Sequence, residues 1–367
     1  MPLLIQRFLA TLCLALAPFA GTLAAPFAYL AEGPDGDTVR VLDTATHAVV
    51  ASIPMAAGSS PWGVAVSRDQ ARAYVTLAGG AALAVFDTNA HVQIGSVPVG
   101  AAPFSVAASD DGTRVYVPSL MDSTLAIIDT ASLTVLASVS LGAGSAPFGV
   151  AVNPAGDRVY VANTGNNTVS IVDATTHVLI ATVPVGNDPR GVAVHPNGSR
   201  VYVTNRMGDT VSVLDAGTQT VIATIPVGLH PNSVAFSNQG ARAYVTNQFG
   251  ASISVIDTTS HAVIATVPTG AGEPYGIAIT PDDARLYVAD ISADRVWAID
   301  ATTHAITATL PIRAFATYGR FIAPGAGGGP PVVTPRAITT VPANATWALI
   351  ALALMLAWIA AVRGTPR

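Results

Sequence analysis

Histidine is the residue type here that could bind a metal ion or carry protons, and its seven copies follow a pattern. Five of them lie four residues after an aspartate that recurs at intervals of 42 to 44 residues. These are His47, His91, His177, His261 and His304. Metal ligands must converge on one ion, whereas residues at long, even intervals occupy equivalent places in successive repeats. We therefore expect no metal site, and predict that the aspartates and nearby threonines cap turns through side-chain to backbone hydrogen bonds.

A second set of residues lies in a motif that reads Pro-x-Gly or a variant of it, in which x changes from copy to copy. Aromatic side chains at x could stack on a sugar or a flat ligand, or form an anchor pocket for a protein partner. Alternatively, the rings only fill gaps between neighbouring repeats. The residues at x are Trp62, Phe104, Phe148, Arg190, Asn232, Tyr275 and, in the last copy, Thr317 or Tyr318.

Polar residues accompany the copies of this motif in which x is not aromatic. Arg190 and His230 break the aromatic pattern, and a charged and polar arc is completed by Glu273, Asn205, Arg206 and Asn247. A hydrolase or lyase site would need a metal cage or a paired acid and base, and this arc offers one carboxylate and one imidazole. We therefore predict a ligand-binding site without catalytic residues.

The elements that position these residues follow from a repeat. Its aspartates are Asp43, Asp87, Asp129, Asp173, Asp215, Asp257 and Asp300. Each has a tyrosine 13 or 14 residues before it, namely Tyr29, Tyr74, Tyr116, Tyr160, Tyr202, Tyr244 and Tyr287. In the fourth unit, alternating β-branched or aromatic residues predict strands at 149–152, 158–162, 168–173 and 178–185. Four short strands per repeat of roughly 42 residues predict an all-β, seven-bladed β-propeller with four-stranded antiparallel blades.

The ends of the repeat region predict how the ring closes. The first unit begins at Phe27 and lacks the first strand, whereas residues 318–323, after the seventh unit, resemble residues 275–280. We expect residues 318–323 to complete the first blade, so that both chain ends build it and no radial edge is left unpaired. The predicted propeller spans residues 26–324.

The segments Tyr202-Val203-Thr204-Asn205 and Tyr244-Val245-Thr246-Asn247, with their flanking Pro-x-Gly-Val-Ala-Val and Val-x-Val-x-Asp-Thr pieces, resemble the YVTN family of β-propeller repeats. The resemblance recurs seven times and spans about residues 26–324. It implies a seven-bladed propeller on an exported or cell-surface protein, often a binding or scaffold module. It does not imply one reaction.

Enzymatic alternatives stay open beside that expectation. Architecture alone allows a lactonase-like or streptogramin-lyase-like enzyme with its site at the channel mouth. A third class is a redox propeller associated with haem d1. The sequence has no Cys-x-x-Cys-His attachment motif, and neither His195 nor His230 lies in a motif that marks an axial ligand. We expect no cofactor.

The first 25 residues have the features of a secretory signal peptide. Arg7 gives a positive start, residues 8–20 are apolar, and small residues near Ala24 suit cleavage. Cys13, the single cysteine, lies within the apolar stretch and would be removed. The mature protein would then depend on packing and sheet hydrogen bonds, without a disulfide or a thiolate ligand.

The C-terminal region changes composition after the repeats. Residues 325–346 form a Gly/Pro/Thr-rich linker, residues 347–362 an uncharged apolar run, and residues 363–367 a basic tail. Val341, Pro342 and Trp347 resemble the start of the IPTL-type sorting signals of Gram-negative bacteria, although Ala343 and Asn344 depart from the Thr-Leu of that motif. The resemblance implies processing by an exosortase-like protease, and a plain membrane helix is the alternative.

Composition limits the partners. Charged residues make up 11% of the chain, the formal net charge is −5 and no basic run occurs, so nucleic acid is not an expected partner. We expect an exported propeller in the cell envelope or on the surface of a Gram-negative bacterium, anchored by its C-terminal helix or released from it. It would bind a carbohydrate, an envelope polymer or a protein through the loops at the channel mouth, without being an enzyme.

Overall fold

The computed structural model of the chain describes residues 27–33 and 36–312. These residues form seven antiparallel sheets, six with four strands and the first with three. Each sheet corresponds to one sequence repeat, and the sheets are blades 1 to 7 in chain order. The predicted all-β, seven-bladed propeller is confirmed, and the strands of the fourth unit lie within two residues of their predicted bounds.

In blades 2 to 7 the strands are given from the innermost to the outermost, and the three strands of blade 1 correspond to the second, third and fourth strands of the others. Blade 1 consists of β1 (Phe27–Ala31), β2 (Thr38–Asp43) and β3 (Val49–Pro54). Blade 2 consists of β4 (Pro61–Val66), β5 (Arg72–Leu77), β6 (Ala82–Asp87) and β7 (Val92–Pro98). Blade 3 consists of β8 (Ala107–Ala108), β9 (Arg114–Ser119), β10 (Thr124–Asp129) and β11 (Thr134–Ser140). Blade 4 consists of β12 (Pro147–Val152), β13 (Arg158–Asn163), β14 (Thr168–Asp173) and β15 (Val178–Pro184).

The remaining blades follow the same order. Blade 5 consists of β16 (Pro189–Val194), β17 (Arg200–Asn205), β18 (Thr210–Asp215) and β19 (Thr220–Pro226), with a one-turn 3-10 helix at Arg206–Gly208. Blade 6 consists of β20 (Pro231–Phe236), β21 (Arg242–Asn247), β22 (Ser252–Asp257) and β23 (Ala262–Pro268). Blade 7 consists of β24 (Pro274–Ile279), β25 (Arg285–Asp290), β26 (Arg295–Asp300) and β27 (Ile306–Leu310).

The repeat tyrosines hold neighbouring blades together. All seven are at most 2% exposed, and each lies on the strand that precedes the strand ending in the repeat aspartate. Tyr116 of blade 3, for example, packs with Val159 and Val161 of blade 4. Burying a large aromatic side chain at every blade interface stabilises the ring through the hydrophobic effect, which explains why this residue recurs.

The glycine of Pro-x-Gly recurs because the innermost strands of neighbouring blades approach closely. A Cβ atom at Gly149 would lie 2.1 Å from the carbonyl oxygen of Arg190, and one at Gly63 would lie 2.8 Å from that of Phe104. No side chain fits at such distances. The motif therefore brings the residues at x from different blades together around the central channel.

The threonine of the Tyr-Val-Thr-Asn segments links blades through its hydroxyl. Thr204 is fully buried. Its Oγ1 accepts from the Gly191 N–H at 2.8 Å within blade 5 and donates to the Asn232 carbonyl of blade 6 at 2.8 Å. Thr246 donates in the same way to the carbonyl of Tyr275 in blade 7 at 2.6 Å. These bonds join neighbouring blades at the x residues, whose carbonyl groups are the acceptors.

Blades 7 and 1 contact each other directly, which closes the ring within the described residues. The hydroxyl of Tyr287 donates to the carbonyl of Thr44 at 3.0 Å, and Arg285 donates to the same carbonyl at 3.2 Å. Nε2 of His47 lies 3.1 Å from the Tyr287 hydroxyl. Ala28 and Leu42 of blade 1 share a buried cluster with Val296 and other residues of blade 7.

Several predictions concern residues outside the described ones. They are the signal peptide (1–25), the strand at 318–323 that would complete blade 1, the linker (325–346), the C-terminal helix (347–362) and the basic tail (363–367). Within residues 27–33 and 36–312, no helix is long and apolar enough to cross a membrane.

Candidate ligand-binding site

Aromatic residues at x meet on one face of the ring, called here the mouth face. It carries the loops that lead into the innermost strands and the loops between the second and third strands. The rings of Phe104 and Phe148 stack with centroids 5.2 Å apart and an interplanar angle of 8°. Trp62 meets Phe104 edge-on at 4.9 Å and approaches Tyr275 at 6.4 Å. The motif thus builds one aromatic layer from blades 2, 3, 4 and 7.

Arg190 extends this layer into blade 5. Its guanidinium lies 4.5 Å from the centroid of the Phe148 ring, on which it forms a cation–π contact. Phe148 is 4% exposed, while Trp62, Phe104 and Tyr275 are partly exposed. The rings therefore pack on one another and also offer edges to solvent, so their role in ligand binding stays a prediction.

A cavity of about 560 Å³ follows the channel beside the aromatic layer. At the end of the cavity next to the aromatic layer, the lining residues include Ser105, Gly149 and Gly191, each of which directly follows an x residue in the chain. Small and aliphatic residues of the innermost strands line its walls. At its other end, Arg68 and Asp110 form an ion pair at 2.9 Å. The aromatic layer is therefore at one end of the channel and not along its walls.

Two arginines of blade 5 share one carboxylate on the mouth face. Asp188, whose φ of 53° places it in the left-handed region, accepts from Nε of Arg190 at 2.9 Å and from Nη1 of Arg206 at 3.3 Å. All three side chains are mostly buried, between 15% and 23% exposed. The carboxylate thus holds both guanidinium groups in place at the rim.

The polar arc continues through blades 6 and 7. Asn232 is 1% exposed, and its amide donates to Gln248 at 2.8 Å. Gln248 in turn donates to Glu273 at 2.9 Å. The Glu273 N–H donates to Asp290, a fully buried carboxylate that also accepts from Arg295 at 2.6 Å. Burial alone would raise the pKa of Asp290, but hydrogen bonds from its neighbours outweigh burial and hold that pKa below its usual range.

Asn205 and Asn247 lie deeper than predicted. Both are fully buried. The amide of Asn205 donates to Ser212 at 2.9 Å, and that of Asn247 donates to Ser254 at 3.0 Å. These contacts bind the second strand of the blade to the third. The two asparagines hold the loops of the mouth face in place, while the neighbouring residues reach solvent.

The most exposed apolar side chains on this part of the mouth face were not predicted from the sequence. Met207, Leu229 and Phe249 are 52%, 55% and 52% exposed. Phe249 packs against His230, with ring centroids 4.6 Å apart, and the Arg206 guanidinium lies 6.0 Å from its centroid. We call these five residues, which belong to blades 5 and 6, the rim patch. The sequence does carry a signal for this patch. In both Tyr-Val-Thr-Asn repeats the second residue after the segment is large and apolar, Met207 in one and Phe249 in the other.

The repeat histidines occupy turn positions, as their spacing predicted. All five have φ between 54° and 61°, and several reach the tyrosine of a neighbouring blade. Nδ1 of His91 lies 2.8 Å from the hydroxyl of Tyr29, and Nδ1 of His261 lies 2.9 Å from that of Tyr202. The aspartates cap the turns as predicted, with Asp173 accepting from two backbone N–H groups. Among the residues that the structure describes, no three His, Cys, Asp or Glu side chains could hold a metal ion.

The sequence matches one known protein family over most of its length. The profile of the family described as "Lactonase, 7-bladed beta-propeller" matches residues 33–310. The chain belongs to this family. The seven blades of the structure agree with the family's fold. No curated protein matches the chain.

Solved structures share the fold of this lactonase-family propeller at low sequence identity. A protein of unknown function from Desulfotomaculum acetoxidans is 15% identical, with a TM-score of 0.70, 81% of this chain and 98% of that chain covered. Hydrazine synthase of Kuenenia stuttgartiensis is 19% identical, with a TM-score of 0.64 and coverages of 69% and 86%. The dihydro-heme d1 dehydrogenase NirN in complex with DHE is 13% identical, with a TM-score of 0.59 and coverages of 79% and 74%. At these identities the likeness concerns the fold alone.

Proposed function

We propose that this lactonase-family propeller is a binding module that docks a protein partner on its mouth face, at blades 5 and 6, and not an enzyme. The observation that carries the proposal is the rim patch, where three large apolar side chains are each more than half exposed. Aromatic residues, Met and Arg are enriched in protein interfaces, and exposed apolar groups rimmed by polar ones mark interaction sites. A carbohydrate or envelope polymer is the other ligand class that the mouth would suit.

The rim patch is pre-organised for docking. Phe249 contacts the imidazole of His230 and the guanidinium of Arg206, and Arg206 is itself held by Asp188. Side chains that are already fixed lose little conformational entropy on binding. A partner that places an apolar side chain over Phe249, and a hydrogen-bond acceptor beside Arg206, would use both features.

Photo-crosslinking in envelopes of the protein's own host tests this proposal. A photoreactive phenylalanine analogue at position 249 should give one discrete crosslinked protein, identifiable by mass spectrometry. The matched control carries the analogue at Met121, which is 72% exposed at the equivalent loop position of blade 3. Crosslinks of equal yield and identity from both positions would show that the rim patch is not the docking surface.

Lactone hydrolysis is the second candidate function, favoured by the family match over residues 33–310. On the mouth face, Glu273 supplies a carboxylate and His230 an imidazole, and groups of either kind can activate a water molecule. They lie on one hydrogen-bonded arc, because Gln248 donates to Glu273 while its N–H donates to the His230 carbonyl. Turnover of glucono-lactone that is lost in Glu273→Gln, with an unchanged thermal unfolding curve, would establish this function over simple docking.

The location that we propose is the cell envelope, and it rests on residues outside the described ones. The signal at residues 1–25 would export the chain, and the helix at 347–362 would anchor it or be removed at the motif near Val341, Pro342 and Trp347. Intact mass and cell fractionation separate these outcomes. Loss of the segment beyond Val341 would support sorting, whereas a retained tail in the membrane fraction would support a plain anchor.

A further inference from the structure

We propose that a groove between blades 5 and 6, on the face opposite the mouth, is a second binding site and takes a neutral saccharide unit. The groove has a volume of about 470 Å³. Blade 5 contributes Asn197, Ser199 and Arg200, and blade 6 contributes Gln239, Thr259 and His261. Its volume lies within the range of small-molecule pockets, and its lining is mostly polar.

A histidine that departs from the repeat builds one wall of this groove. In blades 2, 3 and 6 the equivalent residue is a serine, and in blade 4 it is Asn153. Those side chains accept the N–H of the residue five positions later, as Ser67 does at 3.0 Å. His195 instead reaches blade 6, with Nε2 3.0 Å from the carbonyl oxygen of Gly240 and Nδ1 accepting from the Asn197 N–H at 3.2 Å.

Blade 6 accommodates this imidazole beside a turn glycine of a kind that blades 3, 4 and 5 also carry. Gly240 has a φ of 74°, and a Cβ atom there would lie 2.3 Å from the His195 ring. Phe236 packs edge-on against the same ring, with centroids 5.3 Å apart. The Phe236 ring and the space beside Gly240 thus hold the His195 ring in one arrangement, which forms this wall of the groove.

An arginine that does not bridge the blades leaves the groove open. Arg242 and Arg285 each donate to a backbone carbonyl of the next blade, at 3.4 Å and 3.2 Å. Arg200 instead donates to Asp215 of its own blade at 2.5 Å. Arg158 turns back to Asp173 in the same way at the preceding interface, so it is His195 that distinguishes the groove.

The groups in the groove match a neutral ligand with many hydroxyls. Asp215 neutralises Arg200, so no surplus positive charge is left to favour an anion. Burial, together with the nearby Arg200, lowers the pKa of His261, which keeps the ring neutral at neutral pH. When Tyr202 donates to Nδ1 of His261, the hydrogen of this neutral ring is on Nε2, and His261 is one of the residues that line the groove. Amides of Asn197 and Gln239 and the hydroxyl of Thr259 supply further donors and acceptors.

Calorimetric titration of the full propeller with glucose, galactose and N-acetylglucosamine tests this site. We expect one of these sugars to bind, and Gln239→Ala combined with Thr259→Ala to weaken it about tenfold through two lost hydrogen bonds. Both residues are exposed, so the fold should persist. The control Thr224→Ala, on the exposed outer strand β19, should leave binding unchanged.

Three outcomes would overturn the proposal. They are no binding of any of the sugars, binding that the double variant does not weaken, and tight binding of inorganic phosphate in place of a sugar. A Phe249→Ala variant distinguishes this site from the docking surface proposed on the mouth face. It should keep its sugar affinity, because Phe249 lies on the opposite face; loss of sugar binding there would assign the sugar to the mouth.

Discussion

Replacing Thr204 by valine should destabilise the propeller by removing one hydroxyl while conserving shape. The Thr204 Oγ1 satisfies two groups of neighbouring blades, the Gly191 N–H and the Asn232 carbonyl, each at 2.8 Å. Thr204 is fully buried, so neither group would gain water in the variant. Each buried group left without a partner costs about 1–3 kcal/mol. The extra methyl group offsets part of that loss, since a buried carbon group contributes about 0.8 kcal/mol.

The expected net loss is about 1–5 kcal/mol in the free energy of unfolding. For a propeller of this size, such a loss lowers the unfolding temperature by about 2–9 °C. Differential scanning calorimetry measures that temperature, and urea unfolding followed by circular dichroism gives the free energy itself.

Thr224→Val is the matched control. Thr224 is exposed on β19 of the same blade, so its replacement should change the stability by less than about 0.5 kcal/mol. If Thr204→Val lost no more than this control, the hydroxyl bridge between the blades would contribute nothing, and the reasoning would be refuted.

Three further predictions concern backbone geometry and pH. Gly240→Ala should lower the free energy of unfolding by about 2 kcal/mol or more, because it adds a clash with the His195 ring to the strain of a left-handed residue. Gly112 has a φ of 72° and open space around it, so Gly112→Ala should show the strain alone in the same thermal unfolding assay. Burial raises the pKa of every repeat tyrosine, to about 12 for Tyr116 and Tyr202. The free energy of unfolding should therefore stay constant below pH ~10 and fall as the pH rises above it, and tyrosinate absorbance should appear together with loss of the circular dichroism signal. Ionisation of the tyrosines well before unfolding would contradict this. Burial also lowers the pKa of His47, His91 and His261, so urea unfolding should show stability decreasing as the pH falls below ~6.5, and His91→Gln should reduce that slope.

The repeat made the fold predictable from the sequence. The tyrosines and aspartates recur in every unit because each blade interface has the same packing and each turn the same cap, so seven copies confirm one another. The aspartate caps and the turn positions of the histidines could be predicted for that reason. Bonds such as that from His47 to Tyr287 could not, because they join residues that the fold brings together across blades 1 and 7.

The site was less predictable because it depends on how single side chains pack. Pro-x-Gly placed Trp62, Phe104 and Phe148 on one face, but not their stacking on one another. Asn205 and Asn247 belong to a motif that faces the mouth, yet their amides bind serines of the adjacent strand. The residues that reach solvent follow them in the chain. Because a short loop changes direction within one or two residues, a residue at its start can be buried while the second residue after it is exposed.

Two departures from the repeat lie in blades 5 and 6, one on each face of the ring. A turn position that is served by serine or threonine in most blades is a histidine at His195, which gives up the local cap and requires a glycine in the next blade. A loop position that could be polar carries Phe249, which leaves half of an aromatic ring in water. Neither change improves the packing that the other blades share. Features that cost stability are expected where a protein binds something, so these two blades are where both proposed ligands should be sought.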